Sequence, residues 1–200
     1  MKTFDTYLEA VKSEEFNNEL NRTFEVMKKH GYPVGGGSYL FDGRNLVWNS
    51  LTYPKQELLF NTVKSLKADI PTIVEIGVYA GHSKMIMDMA REPIQYLGID
   101  PMRFAFQEAL LKEEDIFNGT SKYVLNPYFV IKPDLIHIDG SHDYEDFIFD
   151  LKWAKDYPQA IVVVDDWDGV YPQLPEDLKE SIEIIEVADC PNPNAVIKFK

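Results

Sequence analysis

Glycine and aspartate close four short apolar runs of this chain, and their types and spacing suit the handling of a nucleotide-like ligand. The runs are Thr72-Ile-Val-Glu-Ile-Gly77, Tyr96-Leu-Gly-Ile-Asp100, Asp134-Leu-Ile-His-Ile-Asp139 and Ala160-Ile-Val-Val-Val-Asp165-Asp166. Glu75-Ile-Gly77-Val-Tyr79-Ala-Gly81-His82-Ser83 reads as a strand-to-helix turn whose glycines let the backbone approach a ligand. Amides at the start of the following helix can hold an anionic group, and Ser83 is placed to cap them. Asp100 follows about twenty residues on, where a carboxylate accepts hydrogen bonds from ribose hydroxyls. Asp139, Asp165 and Asp166 make a second group. Crowded carboxylates repel unless a proton or a cation sits between them, and Mg²⁺ suits an all-oxygen set. Such an ion would lower the pKa of a substrate hydroxyl and orient it. His142, in Asp139-Gly-Ser-His142, carries an imidazole able to take that proton near neutral pH. Each residue also has a plainer use: glycines make turns, Asp143 or Ser141 caps a helix, and Asp165-Asp166 caps a turn.

These residues meet only if the apolar runs are parallel strands. The runs are continuous rather than alternating, which marks strands buried on both faces. Helical patterns separate them at 83–90, Phe104–Phe117 and Tyr144–Lys155, and Lys122–Leu125 is predicted as one more strand. That alternation predicts an α/β, Rossmann-like, doubly wound and mostly parallel sheet, with ligands outside the carboxyl ends of its strands. Ser181–Val187 and Ala195–Phe199 predict a closing antiparallel hairpin after a short helix at Glu176–Glu180. Before the sheet, Thr3–His30 reads as one broken helix or two short ones, Gly31–Gly37 stops it, and a further helix runs from Pro54 or Lys55 to about Lys67. His30 is expected at a helix C-terminus and His137 as a core histidine. Gly35–Phe41 and Asn45–Gln56 form either a lid or a linker, and Trp167–Tyr171 either walls an acceptor pocket or packs.

Composition sets outer bounds. The chain has 200 residues, 45% of them hydrophobic, with a formal charge of −13 and a pI near 4.7. That acidity argues against nucleic acid and against an anionic membrane surface as partners. Cys190 is the single cysteine, so no disulfide forms within the chain and a reducing, cytoplasmic setting is expected. Met1–Glu15 lacks the apolar core of a signal peptide, and no apolar run approaches membrane-spanning length.

The block Val74-Glu-Ile-Gly-Val-Tyr-Ala-Gly-His-Ser83 with Leu97-Gly-Ile-Asp100 resembles the first two motifs of class I S-adenosylmethionine-dependent methyltransferases. Pro133-Asp-Leu-Ile-His-Ile-Asp-Gly-Ser-His-Asp-Tyr-Glu145, followed by Ile161-Val-Val-Val-Asp-Asp166, is similar to the subgroup called methyltransferase family 24, related to macrocin-type sugar O-methyltransferases. The resemblance covers roughly Thr72 to Trp167. It implies residues 1–70 as a helical or lid extension and residues 71–200 as the S-adenosylmethionine-binding domain. It places Glu75 near the amino end of the methionine moiety, lines that moiety with Gly77, Tyr79 and Gly81, and sets His82 and Ser83 near its carboxylate. It gives Asp100 the ribose. Asp139 adjoins the cofactor and joins His142 as a catalytic residue, and Asp139, Asp165 and Asp166 are the candidate Mg²⁺ ligands. The implied acceptor is a hydroxyl of a small molecule or glycan, and the amphipathic N-terminal helix offers a homodimer contact.

Two other readings stay open. An NAD-dependent oxidoreductase lacks support because no G-x-G-x-x-G is present. A non-catalytic Rossmann-like protein draws support from the connection Asn126–Pro133, where a loop without a helix is expected and Asn126, Pro127 and Tyr128 are the candidate adenine contacts.

Overall fold

The computed structural model describes residues 2–30, 39–41, 46–48, 50–102, 107, 111–125, 130–141 and 143–200, with backbone alone at 39–41 and 46–48. Two helices open the chain, α1 (Tyr7–Lys12) and α2 (Glu14–Lys29). Thr6 and Glu9 cap α1 reciprocally, and Ser13, extended at ψ 152°, breaks the helix and caps α2. The two-stranded ribbon β1 (Tyr39–Phe41) and β2 (Leu46–Trp48) pairs antiparallel, Leu40 opposite Val47. Helix α3 (Tyr53–Ser65) carries Pro54 in its first turn.

The alternation then begins: β3 (Thr72–Ile76), α4 (His82–Ala90), β4 (Gln95–Asp100), β5 (Ile116–Asn118), α5 (Ser121–Val124), β6 (Leu135–Ile138), α6 (Tyr144–Lys155) and β7 (Ile161–Val164). Short helices α7 (Trp167–Val170) and α8 (Glu176–Ser181) lead to the hairpin β8 (Ile182–Val187) and β9 (Ala195–Phe199). Seven strands form one sheet in the order β5-β4-β3-β6-β7-β9-β8. The first five are parallel neighbours, and β9 lies antiparallel to both β7 and β8. The sheet starts at β3, grows outward through β4 and β5, then returns to β6 on the opposite side of β3. Strand order therefore reverses at β3, which is where open α/β sheets bind ligands.

Successive residues of each strand serve opposite cores. Ile73, Leu135 and Val163 pack with Tyr7, Phe16, Leu20, Phe60 and Met87 of the first four helices. Val74, Ile136 and Val162 pack with Phe147, Leu151 and Leu178 on the other face. Each such side chain contributes about 1.5–3 kcal/mol on burial, so α1, α2 and α3 share one layer of the sandwich with α4 and hold the sheet from that side.

The structure corrects two sequence expectations. Lys122–Leu125 is not a strand; the strand beside β4 is Ile116–Asn118, and residues 121–124 make one helical turn. Val124 and Leu125 drop from that turn into the second core, burial that a solvent-side edge strand would not give them. One helical turn, Ser121–Val124, therefore lies between β5 and β6. The expected helix Phe104–Phe117 falls partly on residues 103–106 and 108–110, outside the described residues, and its last residues belong to a 3₁₀ turn and β5. Also outside are the helix stop Gly31–Gly37, residues 35–38, 45 and 49 of the lid or linker segments, and Asn126, Pro127 and Tyr128.

Candidate active site

The ladder itself gathers the candidate residues. Ile76 is in register with Ile99 of β4 and Ile138 of β6, and Ile138 with Val164 of β7. The next residue in each strand is Gly77, Asp100, Asp139 and Asp165. Hydrogen bonds carry the register one step further: Gly77 N–H donates to the Ile99 carbonyl at 2.8 Å, Asp139 N–H to Ile76 at 2.8 Å, and Asp165 N–H to Ile138 at 2.9 Å. Four residues from four strands thus line one sheet end.

The turn after β3 is built for close approach. Gly77 has φ 87°, and a Cβ there would lie 2.0 Å from the Asp139 carbonyl oxygen. Tyr79 also takes a left-handed backbone, φ 45°, a conformation held only where surroundings enforce it. Asp100 enforces it: Oδ2 accepts from the amides of Val78 at 3.1 Å and Tyr79 at 2.8 Å, while Oδ1 accepts from Met102 at 2.8 Å. Gln107 adds a bond from Nε2 to the Tyr79 carbonyl at 2.8 Å. A carboxylate has about four acceptor positions, so among the described residues Asp100 retains one, on Oδ1. Gly81, left-handed at φ 74°, is the N-cap of α4. Ser83 is therefore inside the first turn and not the cap, because only a residue tolerant of that φ can start the helix here. His82 opens α4, and burial of its ring lowers its pKa to about 4, so the imidazole is neutral and leaves the helix amides as the local positive pole.

Glu75 is committed below the crevice. Wholly buried, it accepts a hydrogen bond from the Tyr96 hydroxyl on Oε2 and from His137 Nδ1 on Oε1 at 2.9 Å. Burial first, and then Glu75, pushes the Tyr96 phenol well above its usual range and keeps it a donor. His137 is the core histidine expected from its mid-strand position.

At the other end of the crevice, Lys55 joins the acids. Its Nζ lies 2.8 Å from Asp165 Oδ1, and each of the two side chains is 9% exposed. Burial pulls the ammonium pKa down, but Asp165, Asp139 and Asp166 together outweigh it and the net shift is upward. Asp139 is held well above the usual carboxylate range, by burial first and then by Asp165, with which its carboxyl hydrogen-bonds. Asp166 stands at φ 50° as the N-cap of α7. Among the described residues, no group of three or more His, Cys, Asp or Glu side chains converges in a way that could hold a metal ion. A divalent ion needs free anionic oxygens, yet Asp165 Oδ1 already faces the Lys55 ammonium at 2.8 Å. The acidic set expected to take Mg²⁺ does not fit it.

Of the sequence candidates, Gly77, Tyr79, Gly81, His82, Ser83, Asp100, Asp139, Asp165 and Asp166 gather at one end of the sheet, Glu75 lies beneath them, and His142 is outside the described residues. Trp167 packs at 4% exposure in the second core, its ring 4.8 Å from that of Tyr171. Lys55 is the residue that sequence reasoning missed. A lysine in the first turn of a helix opposes the dipole, and that signal asks for a carboxylate partner.

Two clefts adjoin the turn. One of about 180 Å³ is walled by Gly81, His82 and Lys84 and by Glu19 and Thr23 of α2. Another of about 660 Å³ runs along Gln107, Leu111, Phe117 and Asn118, and Asn118 is in register with Asp100.

Comparison with known proteins gives a consistent picture. Residues 74–167 match a family described as a methyltransferase domain. An uncharacterised protein of Acanthamoeba polyphaga mimivirus is 30% identical over 127 residues, 55% of this chain, and the match spans 58% of that protein's length. The O-methyltransferase TomG of Streptomyces achromogenes, solved with S-adenosylmethionine, superposes with a TM-score of 0.61 at 16% identity, covering 97% of this chain and 94% of that one. An O-methyltransferase from Bacillus cereus, solved with S-adenosylhomocysteine, gives 0.58 at 10% identity over 96% and 94%. At these identities the likeness is one of fold.

Proposed function

We propose, for a chain whose residues 74–167 form a class I S-adenosylmethionine-dependent methyltransferase domain of the family 24 type, that the protein O-methylates a hydroxyl of a small molecule or sugar. The observation that carries the reading is the register that sets the Gly77 turn, Asp100, Asp139 and Asp165 side by side at the switch point. The free acceptor position on Asp100 Oδ1 suits a ribose hydroxyl. The first-turn amides of α4, beside a neutral His82, suit the methionine carboxylate. Phe117 and Asn118, along the larger cleft, suit the adenine. Bound S-adenosylmethionine supplies an electrophilic methyl group on its sulfonium. His142 takes the acceptor's hydroxyl proton on its imidazole, and the crevice walls hold the acceptor in line.

Incubation with methyl-labelled S-adenosylmethionine and a panel of hydroxylated sugars and phenols tests this. Label is expected in at least one acceptor class, falling by about 10²-fold or more in His142→Ala with affinity for S-adenosylhomocysteine unchanged. Equal turnover in His142→Ala removes His142 as base, and no transfer to any acceptor contradicts the reading.

A further inference from the structure

The ion pair at the acidic end has a consequence for the kind of site this is. Lys55 comes from the first turn of α3 and meets Asp165 at the end of β7, 110 residues away. A lysine there is unfavourable twice over, because its charge opposes the helix dipole and because it is buried. It is stable only with its anionic partner, and Asp165 is 8% exposed. The ammonium is therefore a fixed part of the crevice rather than a loose surface group.

We propose that Lys55 is the resident cation of the acceptor end: its ammonium holds the place among Asp139, Asp165 and Asp166 that a divalent ion would need, and it offers its remaining N–H donors to the acceptor oxygen. An ammonium has three donors and Asp165 engages one of them. The site works without a metal, and the acceptor is a neutral or anionic oxygen, because a cationic acceptor would meet Lys55 directly. This inference rests on the methyltransferase reading for the word acceptor, but the exclusion of metal stands on the ion pair alone.

Calorimetric titration with MnCl₂, with S-adenosylhomocysteine titrated into the same samples, separates the two. The wild-type protein is expected to show no saturable Mn²⁺ uptake, and Lys55→Arg the same. Lys55→Met is expected to gain one Mn²⁺ site, lost again in Lys55→Met/Asp165→Asn. Saturable Mn²⁺ uptake by the wild-type protein that disappears in Asp165→Asn overturns the proposal, and so does a folded Lys55→Met that takes up none. Should Lys55→Met fail to fold, Lys55→Gln takes its place and the wild-type arm decides independently. Missing S-adenosylhomocysteine heat in all samples counts against the cofactor reading and leaves the Mn²⁺ result intact.

Discussion

Asp150 shows what burial does to one carboxylate. It is 1% exposed on α6, and one oxygen has no hydrogen-bond partner. Burial raises its pKa to about 6, against a smaller opposite pull from Ser121. The folded state thus binds a proton that the unfolded state, with the ordinary value of 3.8, has released. The stabilising contribution is full below 3.8 and is lost as pH rises through 6. Near neutral pH the ionised group costs on the order of 3 kcal/mol. Asp150→Asn is therefore expected to raise the melting temperature at pH 7.5 and to change it little near pH 4. A lower melting temperature at pH 7.5 counts against this. At the same scale, Asp100, Asp139 and Asp165 were legible in the sequence because each follows an apolar run. The bonds of Glu75 to Tyr96 and His137 are not legible in the sequence, because those partners lie on other strands. Lys55 was invisible for the same reason, apart from its awkward place in a helix's first turn.

Elements fix those residues by geometry, and the two left-handed glycines separate two kinds of constraint. Alanine at Gly77 would put a methyl 2.0 Å from backbone of the β6 end, which cannot move without breaking the ladder. Alanine at Gly81 would meet Leu111 Cδ2 at 2.7 Å, a side chain that can rotate away. Urea denaturation is expected to show a loss on the order of 3 kcal/mol or more for Gly77→Ala and roughly 1 kcal/mol for Gly81→Ala. Equal losses, or the reverse order, contradict the assignment of Gly77 as the closer contact. The long elements were readable because continuous apolar strands and amphipathic helices repeat their pattern over enough residues. The strand Ile116–Asn118 and helix Ser121–Val124 have only three and four residues, too few for a period to show. Their assignment is set by which face of the sheet Val124 and Leu125 can reach.

Among the described residues the main body is a seven-stranded sheet with a helical layer on each face, and the N-terminal helices belong to one of those layers. The chain carries a net charge of −13, and two positive poles stand at the carboxyl end of its sheet: the first-turn amides of α4 and the Lys55 ammonium beside Asp165. That arrangement predicts an anionic or ribose-bearing ligand near Gly77 and Asp100 and an oxygen acceptor near Lys55. Calorimetric titration of S-adenosylhomocysteine into wild-type protein and Asp100→Asn, with melting curves for both, tests this most directly. Wild-type binding in the micromolar range is predicted, weakened about tenfold or more in a folded Asp100→Asn. No binding by the wild-type protein, or equal affinity in Asp100→Asn, would contradict the crevice as the cofactor site.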